Sequence, residues 1–241
     1  MENNNEKHIL SFGAGLNSTA LLVMLVEENY PLDEVVFADT GGEVPETYKH
    51  LKKVDSYLHK YGIPLTIVKS KNGTLYNTCK RRKVIPSQIW RWSTRDYKIT
   101  PIHAHYRSFD VPVIQYLGIA YEERNRKKKS RVPYVTNVFP LIERKLDRQD
   151  CIEIIMKAGL PMPVRSGCYF CPFNSLSRWK ELYTKHPDLF LKAKELEETS
   201  KHFPKQRLMK WTLGTLQKKL EKKERLPKVY VKRLCSSECI I

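Results

Sequence analysis

One short stretch limits the fold more than any other. Residues 8–12 (HILSF) form an apolar run that ends in a glycine-bearing turn, Gly13-Ala-Gly-Leu-Asn-Ser18. Residues 19–28 (TALLVMLVEE) then have helical character. A strand that passes through such a turn straight into a helix is the opening unit of an α/β sheet. The alternation continues: residues 34–38 read as a second strand stopping at Asp39-Thr-Gly-Gly42, 44–61 as a helix with Pro45 in its first turn, and 65–68 as a third strand. Residues 113–118 read as a further strand, 137–142 as a short apolar piece, and 147–158 as a helix closed by Gly159. Residues 73–99 are less regular. The expected fold is an α/β doubly wound, mostly parallel sheet with ligands outside the carboxyl ends of its strands. After Pro163 the character changes. A compact turn, Ser166-Gly-Cys-Tyr-Phe-Cys-Pro172, precedes charged segments, 179–199 and 207–224, that read as helices. The expected division is an α/β domain over 1–160 and a smaller, mainly helical region over 161–241.

Charge narrows the partners. Lys and Arg number 43 against 26 Asp and Glu, a net charge of +17. Such a balance points to a polyanion, nucleotide or nucleic acid. With 41% hydrophobic and 10% aromatic residues, wholesale disorder is excluded. No apolar run approaches the roughly 18 residues of a membrane span. Residues 1–7 are polar and carry no secretory pattern. A soluble, cytoplasmic protein without a membrane partner is expected. Its six cysteines are then thiols or metal ligands rather than a disulfide framework, which a chain of 241 residues does not need for its core.

Ser11-Phe-Gly-Ala-Gly-Leu-Asn-Ser-Thr19 stands where a phosphate site belongs. Glycines let backbone N–H groups approach an anion, and hydroxyls and the helix N-terminus add donors. The motif is neither a Walker A sequence nor a GxGxxG fingerprint. It resembles the PP-loop of the ATP pyrophosphatases, the adenine nucleotide α-hydrolase superfamily, and within it the phosphoadenosine phosphosulfate (PAPS) reductase-like family. Further segments match in order: Phe37-Ala-Asp-Thr-Gly41 with Pro45-Glu-Thr-Tyr48, Thr94-Arg-Asp-Tyr-Lys-Ile-Thr-Pro101, Gly118-Ile-Ala-Tyr-Glu-Glu-Arg-Asn-Arg126, Phe139-Pro-Leu-Ile142, and residues 159–173.

The resemblance implies an enzyme that binds ATP with Mg²⁺, adenylates an acceptor at oxygen and releases pyrophosphate. Residues 1–160 would then be the nucleotide-binding domain. Ser11, Gly13, Gly15, Asn17, Ser18 and Thr19 would cradle phosphates, with Gly118 and Glu123 also at the nucleotide. Asp39, Lys98 and Arg126 would serve the reaction, with Arg95 and Glu122 as neighbouring candidates. Asp39 reads equally as a helix cap. Two positions depart from the family pattern: Asn17 stands where many relatives have Asp, and Ser93 where many have Cys.

Cys168-x-x-Cys171, followed by Pro172, has the spacing of a metal knuckle, and Cys235 with Cys239 forms a second, looser pair. Four thiolates in two pairs suit Zn²⁺ or a [4Fe–4S] cluster. Cys239 has a second reading. True PAPS reductases attack sulfur with the cysteine of a C-terminal Glu-Cys-Gly motif, whereas here Glu238-Cys239 is followed by Ile240-Ile241. Cys151, beside Ile152 and Ile155, reads as a core thiol. Cys79 lies next to Lys80-Arg-Arg82, which would stabilise a thiolate, and reads either as a reactive thiol or as a plain loop cysteine.

Residues 80–83 and 127–131 are basic clusters beside these motifs, whereas the basic run at 218–225 is mixed with glutamates. Trp90 and Trp92 flank Arg91 and read either as base-stacking groups or as a buried pair. The expected activity is ATP-dependent sulfur insertion into nucleic acid, DNA phosphorothioation ahead of tRNA thiolation, with a cysteine desulfurase or other sulfur donor as partner. A PAPS reductase and a non-catalytic nucleotide-binding module are the alternatives.

Overall fold

The structure, a computed structural model, describes residues 6–88, 90–202, 205 and 208–224. Five strands form one all-parallel sheet: β1 (Lys7–Phe12), β2 (Glu34–Asp39), β3 (Leu65–Lys69), β4 (Val113–Leu117) and β5 (Val135–Val138). Their order is β3-β2-β1-β4-β5. The chain moves outward from β1 through β2 to β3, then crosses back to lay β4 on the other side of β1. The order therefore reverses between β1 and β4, and a crevice opens there at the carboxyl ends.

Side-chain alternation sorts the strands between two faces. Leu10, Phe12, Val35, Phe37 and Tyr116 pack with α1 (Leu16–Glu27), α2 (Pro45–Leu58) and a later helix, α7 (Arg148–Lys157). Ile9, Val36, Ala38, Val113 and Val135 face Ile102 and Tyr106 on the opposite side. The α1 helix is apolar almost all round and is sandwiched between the sheet and α7, so ten of its side chains from Leu16 to Leu25 are buried. Cys151 is in this core, as expected of it.

The stretch between β3 and β4, which reads as irregular, is largely helical. It contains α3 (Leu75–Arg82), α4 (Trp92–Thr94), a π-turn over Arg95–Ile99, and α5 (Thr100–Tyr106). After β5 come α6 (Pro140–Glu143) and α7, whose N-cap Asp147 accepts from the Gln149 and Asp150 amides and whose end is closed by left-handed Gly159. The expected single helix over 179–199 is two, α8 (Leu176–Lys185) and α9 (Pro187–Glu198), because Pro187 cannot continue α8. The last, α10 (Leu213–Glu221), is shorter than the predicted 207–224. These C-terminal helices share a second core with α3, Trp92, Tyr97, Tyr169 and Phe170. Among the described residues no helix is long and apolar enough to cross a membrane.

Candidate functional site

The turn after β1 is built as an anion cradle. Gly15 is the N-cap of α1 in extended backbone, and Ala14, ahead of it, is left-handed at φ +55°. A non-glycine residue in that region costs about 1 kcal/mol and is found where surrounding structure enforces it. Alternating handedness of this kind aims successive N–H groups inward. The loop also clamps itself. Gly15 N–H donates to Ser18 Oγ at 3.1 Å, and the Thr19 hydroxyl donates to the Gly15 carbonyl at 2.8 Å.

Gly118, at the end of β4, fixes how deeply the loop sits. A Cβ on Gly118 would lie 2.7 Å from Ser18 Cα and 2.8 Å from Ser18 N. The end of β4 and the first turn of α1 are therefore in backbone contact. The following 3-10 turn, Tyr121–Arg126, places the Glu123 carboxylate 3.2 Å from Asn17 Nδ2, and Arg126 pairs with Glu123 at 2.8 Å. Asn17 Oδ1 is buried without a hydrogen-bond partner. Ser11, Gly13, Gly15, Asn17, Ser18, Gly118, Glu123 and Arg126 thus converge at one end of the crevice. Thr19 is fully buried and braces the loop from behind.

Thr19 in turn leans on His50 of α2, whose role the sequence did not signal. His50 Nε2 lies 3.0 Å from Thr19 Oγ1, and its ring stacks on Phe12 at 6.4 Å. The Thr19 hydrogen is used on Gly15, so Nε2 is the donor and the imidazole is the neutral Nε2–H tautomer. Burial pushes His50 down to about 4 from 6.5. With a folded value below the unfolded one, the unfolded chain binds the extra proton between these pH values. His50 therefore stabilises the fold fully above pH about 6.5, and on the order of 2–3 kcal/mol is lost as pH falls towards 4. Denaturant melts of the wild type and of His50→Gln across this window check it. The glutamine keeps a donor and does not titrate, so its melts should show a shallower acid slope.

Asp39, at the end of β2, is not a helix cap: the N-cap of α2 is Val44. Its Oδ1 accepts from the Gly41 N–H at 2.8 Å and from Tyr48 Oη at 2.9 Å, and Lys69 stands 3.8 Å from Oδ2. The next turn receives the cysteines. Tyr169 N–H donates to the Gly42 carbonyl at 2.8 Å, Gly167 N–H to Glu43 Oε2 at 3.1 Å, and Thr40 Oγ1 is 3.3 Å from Cys168 Sγ. Thr40, Arg91, Ser93, Thr94, Lys98, Cys168, Phe170 and Cys171 line one cavity. Lys98 reaches it from the π-turn, a distortion that often re-aims a functional side chain. Ser93 opens onto the same cavity and offers it a hydroxyl.

The four-thiolate expectation is only half within view. Cys168 and Cys171 share one turn and one cavity, while Cys235 and Cys239 lie outside the described residues. Among the described residues no group of three or more His, Cys, Asp or Glu side chains is placed to hold a metal ion. Two thiols alone do not satisfy zinc or a cluster. Cys79 is not a loop residue, and its burial works against an activated thiolate. It lies in α3, is 1% exposed, and burial pushes its thiol up to about 12 against the opposing effect of Arg82. The tryptophans divide: Trp92 is 7% exposed and Trp90 is 55% exposed.

Comparison with known proteins gives a consistent frame. The model of the phosphoadenosine phosphosulfate reductase domain family matches residues 7–163. An uncharacterized protein of Methanocaldococcus jannaschii is 24% identical over 212 residues, covering 80% of this chain. The chain spans only 42% of that relative's length. The U34-tRNA thiolase NcsA of Methanococcus maripaludis, a structure with a [4Fe-4S] cluster, is similar in fold at a TM-score of 0.52 and 15% identity, covering 88% of this chain and 80% of that one. The PAPS reductase of Candida auris aligns with a TM-score of 0.47 and 19% identity, over 66% of this chain and 75% of that one.

Proposed function

The chain belongs to the phosphoadenosine phosphosulfate reductase domain family, an enzyme family of sulfur and nucleotide chemistry, and from that premise we propose that it is an ATP pyrophosphatase that adenylates a nucleic acid for sulfur insertion. The observation that carries this reading is the contact between Thr40 Oγ1 and Cys168 Sγ at 3.3 Å. It joins the thiol-bearing turn to the carboxyl edge of the sheet on which the phosphate loop also lies. The family alone does not choose between ATP and a sulfonated nucleotide. A loop that presents backbone donors to a pyrophosphate, beside a cavity with two thiols and a lysine, fits ATP activation followed by sulfur delivery.

In this reading residues 1–160 hold Mg·ATP, and residues 161–241 bring the sulfur chemistry. The N–H groups of residues 13, 14 and 16–18 bind the pyrophosphate portion, with the Gly15 N–H kept on Ser18, and the metal enters with the nucleotide. Arg126, held by Glu123, faces the phosphates, while Asp39 and Lys98 address the acceptor side. An acceptor oxygen attacks the α-phosphorus, the bond to the bridging oxygen breaks, and pyrophosphate leaves with the electron pair. A persulfide sulfur from a donor such as a cysteine desulfurase then displaces AMP, which carries away the acceptor's oxygen, and a second thiol cleaves the S–S bond, leaving one sulfur on the acceptor and a disulfide behind. DNA phosphorothioation is the leading form of the reaction and tRNA thiolation the other, both in the cytoplasm.

Calorimetric titration with Mg·ATP and, separately, with PAPS tests this first. Preference for ATP, with AMP and pyrophosphate as products, is expected. Preference for PAPS would replace the adenylating enzyme by a reductase using Cys239. Ser18→Ala and Asp39→Asn are each expected to lower AMP formation about ten-fold or more. Undiminished turnover in the folded variants would remove those two assignments.

A further inference from the structure

Trp90 is an aromatic group that folding does not account for. It is 55% exposed, whereas Trp92 belongs to the second core. The two rings lie 6.3 Å apart and tilted by 52°, so the buried indole backs the exposed one. The backbone beneath Trp90 is held in place. Its N–H donates to Ser87 Oγ at 2.9 Å, and its carbonyl accepts from Ser87 N–H at 3.3 Å. Gln88 in the same turn donates to the Pro172 carbonyl at 3.0 Å, which ties this turn to the cysteine turn. Ser87 and Arg91, on either side of Trp90, both line the Cys168–Cys171 cavity. The turn that carries Trp90 thus borders the cavity.

Its surroundings are cationic. Arg81, Arg82 and Lys83 are exposed at the end of α3, and the Arg82 guanidinium lies 5.7 Å over the Trp92 ring. Arg91 is exposed beside Trp90 and lies 5.2 Å over Phe173. A flat, solvent-facing indole among arginines and lysines matches a ligand with both a π-face and negative charge. Nucleic acid supplies both, and a base offers its face to a side chain only when it is unpaired or extruded.

We propose that Trp90 is a stacking platform for an unpaired nucleobase of the acceptor, with Arg81, Arg82 and Lys83 holding the flanking phosphates. The acceptor then reaches the cavity as a single strand. The proposal rests on the nucleic-acid reading above and adds which form of nucleic acid is bound and by which side chains.

Fluorescence anisotropy with labelled single strands of about 15 nucleotides, DNA and RNA, and with the matching duplex, tests it on the intact chain. Trp90→Ala is expected to weaken single-strand binding about ten-fold at every salt concentration, leaving the salt slope unchanged, while Trp90→Phe retains most of the affinity. Arg81→Gln should instead reduce the slope of log affinity against log salt by about 0.7. Duplex binding should be weaker and indifferent to Trp90. A preference for DNA or RNA strands with the same loss in Trp90→Ala supports the platform and identifies the acceptor. Wild-type affinity in Trp90→Ala, or an equal loss for duplex, overturns it. Two controls separate the readings. If the wild type binds no nucleic acid, the acceptor reading itself falls, and the platform with it. Mg·ATP titration of Trp90→Ala, expected to be unchanged, reports on the nucleotide site alone.

Discussion

Alanine at position 118 is expected to weaken nucleotide binding at least about 100-fold, a loss of nearly 3 kcal/mol. One added methyl group does this because of what it meets. Its Cβ would stand 2.7 Å from Ser18 Cα, 2.8 Å from Ser18 N and 3.0 Å from the Asn17 carbonyl carbon. All three are backbone atoms, so no rotamer change relieves the contact. Either the phosphate loop or the end of β4 must move. A displacement approaching 1 Å at a site that works by positioning costs about two orders of magnitude. The overpacking itself costs about 1–3 kcal/mol of stability. Calorimetry with Mg·ATP and thermal melts of Gly118→Ala and wild type separate the two effects. Near-wild-type affinity in a folded Gly118→Ala protein would mean that the loop contact does not position the nucleotide.

The other large effect lies far from the crevice. Glu197, on α9, is 0% exposed and its carboxylate accepts from the Leu208 N–H at 2.9 Å and the Leu213 N–H at 2.6 Å. Leu213 is the first residue of α10, so the carboxylate also sits at the positive end of that helix. Removing it leaves two backbone donors without their partner and opens a cavity beneath α10. Glu197→Ala is expected to destabilise the protein by on the order of 3–5 kcal/mol. Chemical denaturation measures the total, and hydrogen exchange at residues 208–221 should show the earliest loss. A cost below about 1 kcal/mol would show that α10 docks through apolar contacts alone.

How far the sequence reaches depends on where each element gets its stability. The strands β1, β2, β3 and β4 are short apolar runs with clear stops, and α7 carries its own cap and terminal glycine. Such elements are written locally. The region 73–106 is not. Pro86 interrupts it, and its helices are held by Trp92 and Tyr97 packing against Tyr169, Phe170 and Trp179 far along the chain. No local pattern announces that packing. The break between α8 and α9 was legible at Pro187 and is missed only when charge composition is followed instead of the proline. In the site, the phosphate loop and its partners Gly118, Glu123 and Arg126 are readable from motif order. His50 and Thr40 are not, because a lone polar residue becomes a support only once another element packs on it. Cys79 shows the reverse error. Its two readings are a reactive thiol beside three cations and a plain loop cysteine, whereas it lies on a helix where burial opposes the pull of Arg82 on a thiolate.

The bond between Thr40 and Cys168 spans 128 residues of chain. During synthesis the loop after β1 and Asp39 emerge first, and Gly118, which packs on that loop, follows. Cys168 has not been translated at that stage. A chain made only as far as Gly118 therefore holds the loop residues without the thiol-bearing turn that bonds to Thr40 and Gly42. The cavity wall that Cys168, Phe170 and Cys171 supply is complete only once the chain has been made as far as Phe173.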